Sequence, residues 1–296
     1  METITLIINA APSDIGYAEL NILHLTRQHK NILNKVLIVD TSLNRDRNLR
    51  DEYKIKYDKI IELGNELLEK KIISRLILTH QYKYPSNLYK KYFGNLIHKD
   101  DEYDYRGAPI KPYLIGFEET KTQFQLRYDV DMLLYQPVDE DWTDLAIKRL
   151  MADEKLLCAS PRTSPSQSIP KEHYDDIVCW FSTRCSLMNM EVFWFAQRKY
   201  RLIFRLKILL RKLSGKGYPP AFEYVIYQIM IFNKLNSIYL NSYSSYLLHP
   251  EDKSFQYISL LSSIIKCVEK NFIPRNQIND ECVNLKEWSK YLSDKC

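Results

Sequence analysis

The sequence predicts an α/β protein built on a mostly parallel sheet flanked by helices, with a helical C-terminal extension. Three observations carry this expectation. Short β-branched runs alternate with longer amphipathic segments through the first half, the gaps between runs are long enough for crossover helices, and several runs close on an acid where a loop would leave a sheet. With 296 residues, 45% of them hydrophobic, the chain can bury a large core.

The elements follow in order. Ile4 to Asn9 is a β-branched run, and Glu19 to His29 carries Leu20, Ile22, Leu23 and Leu25 at helical spacing. Lys35 to Asp40 reads as a buried strand ending in an acid, Asp51 to Lys70 as a charged amphipathic helix, and Ile73 to Thr79 as a third strand. Asn87 to Leu96 and Tyr113 to Glu119 look helical, and Phe124 to Leu134 then alternates like a strand. In a strand, neighbouring side chains point to opposite faces, so Asp129 and Asp131 would share one face while Val130 turns into the core. Two same-facing carboxylates repel unless a cation sits between them, which points to a divalent metal and to whatever phosphate the metal carries. The plainer alternative is a polar strand end.

Further on, Trp142 to Met151 reads as a helix and Lys155 to Ala159 as a strand. The Ser/Pro-rich stretch 160–168 follows, either a surface connector or a flap over a substrate. Ile177 to Ser182 and Cys185 to Met190 are apolar runs, and Glu191 starts a helix that becomes strongly basic. Tyr257 to Val268 is apolar and helical in pattern, suited to packing across the domain. Glu281 to Cys296 reads as an amphipathic helix without a chemical signature.

Composition narrows the function classes. A net charge of +5, with no zinc-finger, RNA-recognition or helix-turn-helix signature, argues against nucleic acid and fits a negatively charged small substrate or an anionic membrane surface. The six cysteines, at 158, 179, 185, 267, 282 and 296, show no zinc spacing and read as reduced cytosolic thiols. The N-terminus lacks the basic start and apolar stretch of a signal peptide, and no window reaches the ~18 to 20 apolar residues of a membrane span. A cytoplasmic protein, or one peripheral at the inner face of a membrane, is expected.

The order of these parts resembles the nucleotide-sugar glycosyltransferases of the GT-A fold, those with a DxD motif and similar to family 2. The resemblance covers roughly residues 3 to 250. It rests on a loop after the first strand, a second strand ending in Asp, a DxD at the end of a later strand, a later acid at a helix start and a downstream His. It implies a GT-A-like, Rossmann-like catalytic domain over 1–250, with a nucleotide-binding half to about 135 and an acceptor half from about 136, followed by the helical extension 251–296. It also implies metal-dependent transfer of one sugar from a nucleoside-diphosphate sugar to a glycan or lipid-linked acceptor.

Carried over residue by residue, Asp129 and Asp131 match the DxD, whose acids bind a divalent ion, Mn²⁺ or Mg²⁺, and the donor. Asp40 matches the acid that contacts base or ribose, unless it only caps a turn. His249, in Leu247-Leu248-His249-Pro250, resembles the histidine that completes the metal site. Glu223, in Pro219-Pro220-Ala221-Phe222-Glu223, falls where the family places its catalytic acid at a helix start; a plain charge complement to that helix end is the alternative. The chain departs from the pattern there, with Phe222-Glu223 where many inverting members have Glu-Asp. It also lacks the Gln-x-x-Arg-Trp motif of processive synthases, which favours a non-processive enzyme. Arg106 beside Gly107, with Lys111 and Arg127 nearby, are candidates to hold the diphosphate, each with a solvated or structural alternative.

The basic stretch 198–212 has apolar residues at 202, 203, 206, 209, 210 and 213 in a helical stripe. It would lie on an anionic membrane surface, or dock on the sheet with a solvated basic face. Two further classes stay open. A metal-dependent nucleotidyltransferase would usually carry a Gly-rich phosphate loop where this chain has Asn9-Ala10-Ala11-Pro12-Ser13-Asp14-Ile15-Gly16. In a non-catalytic carbohydrate- or membrane-binding module the acids would be solvated and the basic helix would act.

Overall fold

The computed structural model describes residues 3–42, 51–83, 85–93, 103–137, 140–162, 176–215, 218–240, 245–279 and 282–293. The first half is the expected alternation: β1 (Ile4–Ala10), α1 (Ala18–Gln28), β2 (Asn34–Val39), α2 (Asp51–Glu69), β3 (Arg75–Leu78), α3 (Pro85–Phe93), α4 (Lys111–Glu119) and β4 (Phe124–Asp129). The second half runs β5 (Leu133–Tyr135), α5 (Trp142–Ala152), β6 (Leu156–Pro161), β7 (Asp176–Val178), β8 (Cys185–Asn189), α6 (Met190–Leu213), α7 (Phe222–Asn233), β9 (Asn236–Leu240), β10 (Tyr246–Leu248), α8 (Phe255–Val268) and α9 (Leu285–Ser293). Of the Ser/Pro-rich stretch, 163–168 lies outside the described residues, as do 94–96 of the helix expected to end at Leu96 and positions 281 and 294–296 of the last one.

The main sheet has the order β3-β2-β1-β4-β8-β6-β9-β7 among the described residues. β1 runs parallel to both β2 and β4, β2 to β3, and β6 to β9. β8 is antiparallel to β4 and to β6, and β7 to β9. From β1 to β4 helices return the chain between parallel strands; β7 and β8 both run against β4, β6 and β9. Successive residues of a strand feed opposite layers. Leu6 and Ile8 of β1 join the cluster under α1, α2, α5, α8 and α9, and Ile7 joins the one under α3, α4, α6 and α7.

The C-terminal helices belong to the first of these layers. Tyr257, Leu261 and Ile264 of α8 and Trp288 of α9 are buried in the same cluster as Leu6 and Leu126. Glu269 then ties the end of α8 to α1, accepting from Arg27 Nη2 at 2.7 Å and standing 2.9 Å from His24 Nδ1. Of the cysteines, 158, 179, 185, 267 and 282 are in no disulfide, and Cys158 and Cys185 are buried. No helix among the described residues is long and apolar enough to cross a membrane.

One local expectation is corrected. β4 stops at Asp129, and Val130 and Asp131 form a turn closed by Met132 N donating to the Asp129 carbonyl at 3.1 Å. Strand alternation therefore does not align the two acids; the turn does, while Val130 is still buried. β1 sits between β2, reached through α1, and β4, reached from β3 on the far side. This reversal of strand order opens a crevice at the strands' carboxyl ends, the usual ligand position of such sheets.

Candidate functional site

The crevice is a cleft of about 210 Å³ lined by Asn9, Asp14, Asp40, Tyr113, Asp129 and Asp131, with Ala10, Ala11, Ser13, Pro109, Pro112 and Val130. Four carboxylates thus come to one place from the ends of two strands, β2 and β4, and the loop after β1. Asp40, just past β2, accepts from Ser42 Oγ at 2.7 Å and Thr79 Oγ1 at 3.3 Å, so it closes a turn and lines the cleft at once. Asp14 is held by Ala11 N at 2.8 Å and by the Tyr17 hydroxyl at 2.6 Å.

Asp129 and Asp131 are neighbours with opposite electrostatics. Asp129 is pushed well above its ordinary value, first by burial and then by the charge of Asp131, with Arg127 and the Tyr113 hydroxyl pulling it only partway back. Burial would raise Asp131 too, but His249 and Lys253 more than offset it and hold the carboxyl below its ordinary value. Lys253 Nζ stands 2.5 Å from Asp131 Oδ2 and His249 Nε2 stands 3.5 Å from the same oxygen. Asp131 Oδ1 and His249 Nδ1 are buried without a hydrogen-bond partner, as are both polar side-chain atoms of Asn9 at the end of β1. Asp14 is raised by burial, with Asp131 adding to the rise. Among the described residues no group of three or more His, Cys, Asp or Glu side chains is already arranged as a metal cluster.

Glu223 lies in an adjoining cavity of about 290 Å³ with Trp180, Phe181, Thr183, Arg184 and Tyr239 among its walls. It stands in the first turn of α7, its Oε1 accepting from Thr183 Oγ1 at 3.0 Å and its Oε2 from Arg106 Nη2 at 2.8 Å. The walls of the two cavities touch where Asp129 N donates to the Arg184 carbonyl at 3.0 Å, and the Tyr113 ring stacks on Phe222, the neighbour of Glu223, 4.7 Å between centroids.

The basic candidates sit elsewhere than in the cleft lining. Arg106 is carried by a tight loop: buried Asp104 accepts from the backbone N of Arg106 and Ala108, Gly107 turns at φ 81°, and Tyr105 N donates to the Pro219 carbonyl ahead of α7. The loop delivers the Arg106 guanidinium to Asp104 and Glu223. Arg127 is enclosed in the core, donating to Gln125 Oε1 at 2.9 Å and the Tyr113 carbonyl at 3.2 Å, between the rings of Tyr113, Phe117 and Phe222. It does not line the cleft, because those rings cover it on the face of β4 that it shares with Asp129; burial brings it down to about 10, still charged at neutral pH. Gly116 makes its place, since a Cβ there would stand 2.7 Å from Arg127 Nη2. Lys111 is buried at the start of α4, and its charge helps hold down His80, whose value burial lowers first.

Sequence reasoning missed Asn9, Asp14, Thr183 and Lys253. Lys253 comes from the extension to which no chemistry was assigned, and only its place four residues after His249 hinted at the site.

No family model matches the chain, and no curated protein matches it. Among solved structures it is similar to the crystal structure of the glycosyltransferase GlyE of Streptococcus pneumoniae TIGR4, with 12% identity and a TM-score of 0.37 over 98% of this chain. The chain spans 60% of the length of that one. A likeness at that level defines neither a family nor an activity.

Proposed function

We propose that the cleft binds a nucleoside-diphosphate sugar and that the chain transfers one sugar to a glycan or lipid-linked acceptor, with inversion and without processivity. The observation that carries this reading is the crowding of negative charge in the cleft: four carboxylates line it, Asp129 is held up by burial and then by the charge of Asp131, and a buried oxygen of Asp131 has no hydrogen-bond partner among the described residues.

A divalent ion such as Mn²⁺ or Mg²⁺ suits that donor set, with Asp129, Asp131 and His249 to hold it, and when bound it would neutralise charge on the departing diphosphate. Lys253 is the chain's own cation at the same point. Asp40 and the Asn9 amide suit the hydroxyls and polar edges of a nucleoside. Glu223 takes the proton of the acceptor hydroxyl as that oxygen attacks the anomeric carbon; the bond from that carbon to the phosphate oxygen breaks, and the electron pair leaves with the diphosphate. Arg106 and Thr183 orient the Glu223 carboxylate, and the aromatic walls around it suit a sugar ring.

The test is a panel of nucleotide sugars with Mn²⁺, read by thermal shift and by release of nucleoside diphosphate. A productive donor raises the melting temperature beyond the effect of the metal alone and turns over. A panel with no response from any donor sinks the reading.

A further inference from the structure

α6 is docked by one face and leaves an apolar face uncovered. Phe193, Ala196, Tyr200, Phe204 and Ile208 are buried against the sheet side of the molecule. At about 100° per residue, residues 195, 202, 206, 209 and 213 fall on the opposite side. There Leu202 and Leu213 are each 76% exposed and Leu206 is 57% exposed, with Phe195, Ile203, Leu209 and Leu210 alongside. The stripe read from the sequence as facing either a membrane or the sheet is therefore the exposed one, and a second stripe, rich in aromatic residues, does the docking. An exposed apolar strip this long is costly in water and marks a contact surface.

The flanks indicate what it contacts. Lys207 and Arg211 are engaged with α7, at the Gln228 side chain and the Tyr224 ring. Arg198, Lys199 and Lys212 are exposed, and Arg205 is half-buried among them. No acid occurs between Val192 and Gly215. A second copy of the chain laid on this strip would bring like charges together. An exposed apolar strip on the outer face of one helix, flanked by basic residues alone, suits a flat, soft, negatively charged layer.

We propose that α6 seats the protein on an anionic lipid bilayer, lying in the interface with Leu202, Leu206, Leu209 and Leu213 among the acyl chains and Arg198, Lys199, Arg205 and Lys212 at the phosphates. The proposal does not depend on the transfer reaction, since it concerns a different face of the chain and needs no donor.

Flotation of the full chain with vesicles of phosphatidylcholine alone, or with 30% phosphatidylglycerol on the order of a natural anionic content, tests it. Binding to the anionic vesicles only, weakened by salt, is expected. The exposed changes Leu206→Asp with Leu213→Asp should remove binding. Arg198→Gln, Arg205→Gln and Lys212→Gln should each weaken it roughly fivefold; circular dichroism and melting temperature confirm that the variants stay folded. No binding of the unaltered chain, equal binding to neutral vesicles, binding indifferent to these changes, or burial of the strip in a dimer in solution overturns the proposal. Because no nucleotide is present, the outcome stands apart from that of the donor panel.

Discussion

The cleft holding Asp129 and the cavity holding Glu223 adjoin, yet they treat negative charge differently. The cleft gathers Asp14, Asp40, Asp129 and Asp131, and Asp131 meets Lys253 Nζ at 2.5 Å and His249 Nε2 at 3.5 Å. The second cavity holds Glu223, already paired with Arg106 and bonded to Thr183. The difference teaches where a ligand's charge belongs. A site crowded with carboxylates favours a cationic or metal-bearing ligand, whereas an acid already paired with an arginine is held in place to act on a neutral group.

The largest way to break this comparison is Glu223→Gln. It keeps the shape but removes the proton acceptor, so turnover should fall by roughly 10²–10⁴ while the donor's thermal shift is unchanged. Loss of that shift instead would place Glu223 in the donor site. Next, Asp131→Ala should cost about 10²–10³ in donor turnover, and a chelator should impose a similar loss on the unaltered protein. Activity indifferent to the chelator would remove the metal from the proposal and leave Lys253 as the cation.

Arg127→Met sharpens the boundary of the cleft. As an enclosed structural cation, Arg127 should lower stability on the order of 2 kcal/mol when replaced, read by denaturant titration, and any donor that still binds should bind as before. A stable variant with weakened donor binding would return Arg127 to the ligand.

The smallest effect is a contrast in sign. Asp129 has its folded value raised above the ordinary 3.8, so its favourable contribution exists while it is protonated and is lost as pH rises through the raised value. Asp131 is lowered from 3.8, so its contribution is present above that value and is lost as pH falls through the lowered one. In metal-free protein at neutral pH, Asp129→Asn should therefore raise the melting temperature and Asp131→Asn should lower it. Equal shifts of the same sign would show that the pair is not polarised by Lys253 and His249.

The first half of the fold was legible because β1, β2 and β4 are buried on both faces and separated by amphipathic helices, patterns that hydrophobicity alone writes into a sequence. The acids at their ends were legible for the same reason. α6 was legible as a helix but not in orientation. It carries an aliphatic stripe and an aromatic one, and periodicity does not say which of two apolar faces meets the sheet. Arg106 and Arg127 were misplaced because a basic residue close in sequence to an acidic pair has no direction until its loop or strand is set.

By itself, then, the sequence determined the parallel α/β half, the helix positions and the presence of Asp40, Asp129 and Glu223 at element ends, since local periodicity and burial suffice for these. The tertiary structure alone decided that Asp131 reaches the cleft through a turn, that Asp14 and Asn9 join it, and that Arg106 serves Glu223. It also decided that the docked C-terminal helices bring Lys253 to Asp131. Those contacts join residues up to 122 positions apart, as Lys253 and Asp131 are, and a charge pair across such a distance leaves no pattern in the chain until packing of the core brings its members together.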